Sequence, residues 1–198
     1  MRGKNAYGFI DGAYLRKLAE EAGVPLQDPK RVLHLALSGA TEHIYDPVHP
    51  GNLNLGRVTY YDAHSEEDTE VPQSLRDYWD ALELLPDTHL GFGWVRGKKR
   101  KKPRRQKAVD TLIAVDMLVG AFNELFPVAV LVAGDADYVP VINEVKRLGV
   151  LTVVAASPKS IADELKRAAD RFWAITPQLD APYIPLDVDG RTWPTPLE

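Results

Sequence analysis

The stretch Val128-Ala129-Val130-Leu131-Val132-Ala133-Gly134-Asp135-Ala136-Asp137-Tyr138 restricts the architectures open to this chain more than any other. An apolar run this short and this rich in β-branched residues reads as a strand buried on both faces, which requires a parallel sheet covered by helices. Open parallel sheets hold their ligands beyond the carboxyl ends of the strands. There this run delivers Asp135 and Asp137. Two carboxylates held close repel each other unless a cation lies between them or one is protonated. The plainer alternative is that Asp135 caps the next helix and Asp137 faces water in its first turn, where acids are favoured in any case.

The same punctuation recurs along the chain. Ala6-Tyr7-Gly8-Phe9-Ile10 reads as a strand ending in Asp11-Gly12, followed by Tyr14, Leu15, Leu18, Ala19 and Ala22 at helical spacing. Asp28 caps a second helical pattern reaching about Leu37, and residues 46–56 are rich in turn formers. Residues 57–63 are a strand ending near Asp62, and a helix starting near Ser74 carries Leu75, Tyr78, Trp79, Leu82 and Leu85. Residues 88–95 read as a strand weakened by glycine and so placed at a sheet edge. Residues 108–122 are apolar enough for a largely buried helix, with Asp110 in its first turn.

After the central strand come a helix with Val141, Ile142, Val145 and Leu148 on one face, a strand over 150–156, a helix over 157–169 and a last strand over 171–175. This alternation predicts an α/β fold, a three-layer α/β/α sandwich with a mostly parallel central sheet. The expected domain spans residues 1–176, and residues 177–198, with five prolines, form an extended tail.

A chain of 198 residues suits one such domain, and 45% hydrophobic with 26% charged residues is the composition of an ordinary globule. The absence of cysteine removes disulfides, thiol nucleophiles and cysteine-based zinc sites. Neither a signal-peptide core nor a membrane-length apolar run is present, so the expected location is cytoplasmic, with no membrane partner.

The net charge of -4 hides a dense cationic run: Lys98, Lys99, Arg100, Lys101, Lys102, Arg104, Arg105 and Lys107, eight of the 24 basic residues. The remainder is strongly acidic, so a single cationic loop on an acidic body is the apt description. A loop of this kind attracts a polyanion. The five histidines show neither metal-ligand spacing nor a Ser or Asp frame, and no role is assigned to them.

Asp11, Asp110, Asp135 and Asp137 thus reach one sheet edge from three parts of the chain. Four carboxylates around a crevice suit a hard cation such as Mg²⁺ or Mn²⁺, which binds through a few carboxylates, water and substrate phosphates. Such an ion activates water and neutralises charge on a phosphodiester. Lys107 is a candidate phosphate contact, and Tyr14 a candidate stacking residue or, more plainly, part of the core.

Phe9-Ile10-Asp11-Gly12, Lys107-Ala108-Val109-Asp110 with Asp116-Met117, Val132-Ala133-Gly134-Asp135-Ala136-Asp137-Tyr138-Val139-Pro140 and Gly149-Val150 together resemble the NYN domain of the LabA-like branch, within the PIN-like nuclease superfamily. The resemblance runs from about Tyr7 to Ile175. It implies a PIN-like fold and metal-dependent endoribonuclease activity, with Asp11, Asp110, Asp135 and Asp137 as the acidic cluster and RNA as the partner.

The family pattern has Asn two residues after the first Asp, where this chain has Ala13. That departure bears on catalysis. Asp116 matches the pattern, yet six helical residues amount to about 240° of rotation from Asp110, which points to a structural hydrogen bond.

The expected chemistry is attack of water on phosphorus at Asp11, Asp110 and Asp135, with Asp137 completing the shell or holding that water. DNA as substrate and assembly into a homodimer stay open. Two alternatives compete: a catalytically weak or silent RNA-binding module, and a haloacid dehalogenase-type phosphatase with Asp135 as nucleophile and Asp137 as general acid.

Overall fold

A computed structural model describes residues 5–23, 55–64, 71–94 and 108–175. In chain order these form β1 (Ala6–Asp11), α1 (Gly12–Glu21), β2 (Leu55–His64), α2 (Gln73–Glu83), β3 (Thr88–Trp94), α3 (Val109–Phe122), β4 (Val128–Val132), a 3₁₀ turn (Ala136–Tyr138), α4 (Val139–Arg147), β5 (Leu151–Ala156), α5 (Asp163–Ala168) and β6 (Arg171–Ala174). The expected helix over residues 28–37, the turn-rich residues 46–54, the cationic run and the proline-rich tail lie outside the described residues.

All five residues of β4 are buried, as a strand covered on both sides requires. The sheet has the order β3-β2-β1-β4-β5-β6, and every pairing in it is parallel. The glycine-weakened β3 stands at an edge, as expected. Residues alternate between faces along each strand. Val128, Val130 and Val132 meet Leu15, Leu18 and Ala19 of α1 and Tyr78, Trp79 and Leu82 of α2. Ala129 and Leu131 meet Ile113 and Met117 of α3, Val141, Ile142 and Val145 of α4 and Leu165 of α5. The result is the expected three-layer sandwich.

The strand order reverses between β1 and β4. β1 is followed by a connection on one face, β4 by a connection on the other, and the two loops part above the strand ends, opening the crevice where open α/β sheets bind ligands. Register fixes what stands there. Ile10 pairs with Val132, so Asp11, still paired with Tyr61 of β2, stands one position past the end of β4, with Asp135 three residues beyond Val132.

Two helices differ from expectation. α5 starts at Asp163, not at Ser157, because the chain is diverted first: the Ser157 carbonyl accepts from the N–H groups of both Ser160 and Ile161, and the Ala162 N–H donates to the Gly134 carbonyl at 2.8 Å. These bonds tie the segment to the loop beyond β4 before a helix can begin. α3 was expected to be largely buried, but only one side is: Ile113 and Met117 are fully enclosed, while Val115, Val119 and Phe122 are 48%, 52% and 75% exposed. An outer-layer helix has one layer to pack against, whatever its composition.

The acid near the end of β2 has a structural use. Asp62, 2% exposed, accepts from the Arg16 guanidinium, from Trp79 Nε1 at 3.0 Å and from the Ala63 N–H at 2.8 Å. Arg16 also donates to the Tyr60 hydroxyl, which donates to the Gly12 carbonyl at 3.1 Å. The network thereby props the start of α1, immediately after Asp11. Gly12 sits so close that a Cβ would lie 2.5 Å from the Tyr60 ring and 2.6 Å from the Tyr61 carbonyl oxygen.

Replacing Arg16 with Met leaves Asp62 buried without its charge partner. We expect a loss of about 3 kcal/mol, the low end for a broken buried pair because Arg16 itself is one-fifth exposed. The measurement is urea unfolding at neutral pH, and a loss within experimental error would show that the network contributes nothing to the fold.

Candidate functional site

Each acid at the crevice is placed by its element. Asp11 ends β1 with extended backbone and caps α1, its Oδ1 accepting from the Tyr14 N–H at 3.1 Å. Asp110 lies in the first turn of α3, where the helix N-terminus favours a negative charge. Asp135 follows β4 and caps the 3₁₀ turn, accepting from the Asp137 N–H at 3.0 Å. Asp11 and Asp110 are half-buried, whereas Asp135 and Asp137 are exposed. The capping alternative therefore holds for the geometry of Asp135 and Asp137, without excluding ligation through their free oxygens.

One buried hydroxyl holds Asp110. Tyr138, 1% exposed, donates to Asp110 Oδ1 at 2.9 Å. Burial pushes this phenol far above its ordinary value, and the charges of Asp11, Asp110 and Asp135 push it further. Of the three, Asp110 is the one bonded to the hydroxyl. Asp11 in turn is raised from the usual carboxylate range, first by burial, then by the charges of Asp110 and Asp62, against the lowering effect of the Tyr14 N–H.

Among the described residues, no three His, Cys, Asp or Glu side chains are gathered as a group that could hold a metal ion. The donor chemistry nevertheless fits a Mg²⁺-type ion. Such an ion takes one or two carboxylates and fills its remaining positions with water and phosphate, so a prearranged cage is not required. The donors here are all carboxylate oxygens, without imidazole or thiolate, and the charge of Asp110 disfavours the ionised form of Asp11.

Two further candidates resolve into structure. Asp116 accepts from the Tyr61 hydroxyl at 2.7 Å, the structural hydrogen bond expected of a residue on another side of α3. Tyr14 belongs to the packing: its hydroxyl is 3.0 Å from Ser160 Oγ and accepts from the Ser157 N–H at 2.9 Å. Gly134 makes room for it, since a Cβ there would lie 2.7 Å from the Tyr14 ring and 2.7 Å from the Ser160 carbonyl oxygen. The basic residues 98–107, Lys107 included, lie outside the described residues.

Sequence reasoning did not single out Tyr138 or Arg16. A signal existed for the first: a tyrosine at a core position needs a partner for its hydroxyl, and acids abound nearby. For the second there was none, because Asp62 is 46 residues away in the chain. A separate groove of about 510 Å³, lined by Arg57, Thr59, His89 and Asp116 among others, opens toward the amino ends of β2 and β3 and shares no residue with the acidic crevice.

No helix among the described residues is long and apolar enough to cross a membrane. No curated protein matches the chain. Of the solved structures, a protein of unknown function from Vibrio parahaemolyticus RIMD 2210633 is similar in fold, with a TM-score of 0.62 at 15% identity over 88% of this chain and 94% of that one. The NYN domain profile matches residues 8–176, nearly the whole sheet with its helices and every acid of the crevice. The chain belongs to the NYN domain family, within the PIN-like nuclease superfamily.

Proposed function

We propose that this protein is a metal-dependent endoribonuclease of the LabA-like NYN branch, using Mg²⁺ or Mn²⁺ to hydrolyse phosphodiester bonds of single-stranded or structured RNA in the cytoplasm. The observation that carries the reading is geometric: Asp11 and Asp135 follow the adjacent strands β1 and β4 where the strand order reverses, and Asp110 is bonded to Tyr138 of the turn that Asp135 caps. When bound, the divalent ion would supply an activated water and offset charge on the scissile phosphate.

In this reading Asp11 and Asp110 hold the ion, and Asp135 and Asp137 complete the set from the exposed rim. Tyr138 steadies Asp110, and burial of Asp11 limits competing water. The cationic residues Lys98, Lys99, Arg100, Lys101, Lys102, Arg104, Arg105 and Lys107 draw in the RNA backbone, because they immediately precede Asp110 in the chain.

A second reading has its own support. Asp135 already spends an oxygen on the Asp137 N–H, and Ala13 stands where the family pattern has Asn, features that suit an RNA-binding module with little or no turnover. Membership of the NYN family leaves the phosphatase alternative without support.

Cleavage of a single-stranded RNA in Mn²⁺ or Mg²⁺, followed on a gel beside binding at several salt concentrations, decides between the first two. We expect Asp110→Asn to lower kcat/KM by on the order of 10²-fold or more while the salt dependence of binding stays unchanged. Wild-type protein that binds RNA with that salt dependence but never cuts it is the pure binder.

Asp11 also carries a pH prediction for the metal-free protein. Its folded-state value is raised, so its contribution is fully present below the ordinary carboxylate value and is lost as pH rises through the raised one. Asp11→Asn keeps an oxygen for the Tyr14 N–H and removes that loss. In chelator at pH 7 the variant should melt higher than wild type, and the difference should vanish in acid. Equal melting temperatures at pH 7 would contradict it.

A further inference from the structure

Tyr138 does something for Asp110 that no other described residue does. Its ring belongs to the core that Ile113, Val141 and Ile142 of α3 and α4 help to form, and the residue is 1% exposed, so the hydroxyl has little freedom. From there it donates to Asp110 Oδ1 at 2.9 Å, across 28 residues of chain. Asp110, by contrast, sits in a first turn whose capping residue, Ala108, offers no side chain to hold it. Without a second anchor, a carboxylate on that turn samples several rotamers.

The same tyrosine closes the 3₁₀ turn capped by Asp135, with its own N–H 3.4 Å from the Asp135 carbonyl oxygen. One residue therefore joins the start of α3 to the loop beyond β4. The bond uses one lone pair of Oδ1, leaving Oδ2 and the remaining lone pair for a cation.

We propose that Tyr138 is a positioning residue for the metal site, holding Asp110 in its ligating orientation and fixing it relative to Asp135. This rests on the metal-site reading above. Hydrogen bonds of this outer kind orient ligating carboxylates, and losing one weakens metal binding by about 10–100-fold. Tyr138→Phe is the direct probe, since it keeps the ring and removes the hydroxyl alone.

The test is Mn²⁺ affinity of the full chain, by calorimetry or by the electron paramagnetic resonance signal of the free ion, with thermal unfolding recorded alongside. Wild type, Y138F, D110N and the double variant are compared. The expected result is affinity about 10–100-fold weaker in Y138F, at least as weak in D110N, and no weaker in the double variant than in D110N, because Tyr138 acts through Asp110.

Affinity retained in Y138F but lost in D110N overturns the positioning role and leaves the metal reading standing. Losses that add in the double variant also overturn it, since they place the action of Tyr138 elsewhere in the fold. Absence of Mn²⁺ binding by the wild type overturns both. Should Y138F fail to fold, Asp110→Glu replaces it: the charge is kept but carried one methylene out of register with the hydroxyl. An affinity loss of similar size is expected, and unchanged affinity refutes the proposal.

Discussion

Charge repulsion at a half-buried carboxylate, Asp11, is the constraint around which the open end of the sheet is arranged. Asp11 is drawn out of water by the packing of β1, and the charges acting on it, Asp110 and Asp62, are negative. Placing ionised carboxylates there costs folding energy. The fold offsets the cost with local dipoles: the N–H groups at the start of α1, the amino end of α3 and the Tyr138 hydroxyl. Asp62 shows the other solution, a guanidinium brought in to neutralise the acid. Acids of the two kinds lie on neighbouring strands, one cancelled and the other left in want of positive charge. A perturbed acid in a crevice of this kind is the mark of a candidate functional site.

The sheet supplies the frame for this contrast. Parallel strands direct their carboxyl ends to one edge, and reversal of the order between β1 and β4 leaves that edge open at its middle. Asp11 and Asp135 flank the opening because each follows the strand on its side. Asp110 enters from the helix that crosses over to β4. No single segment of sequence contains the site, and each contributor is short.

How much of this could be read from residues alone follows from the range of the interactions. The doubly buried β4, the edge position of β3 and the acids after β1 and β4 are written in local patterns of apolar residues, glycine and aspartate. The outward turn of Asp116 followed from helical geometry. What escaped was set by distant partners. Ser157 to Ile161 carry helix-like composition, yet a bond from Ala162 to Gly134 redirects them. Asp62 looked like the other strand-end acids until Arg16 and Trp79 were brought against it. The composition of α3 promised burial, and only its place in the outer layer explains the exposed Val115, Val119 and Phe122.

Tyr14 carries a mechanical meaning beyond its place in the core. Its hydroxyl bridges from the base of α1 to Ser157 and Ser160, and the missing side chain of Gly134 lets the ring come close to the loop beyond β4. Three strand ends, those of β1, β4 and β5, are thereby riveted together on one flank. That flank is braced by side chains, while across the opening the Tyr138 hydroxyl is the brace between the start of α3 and the same loop, so the described crevice is held from both sides.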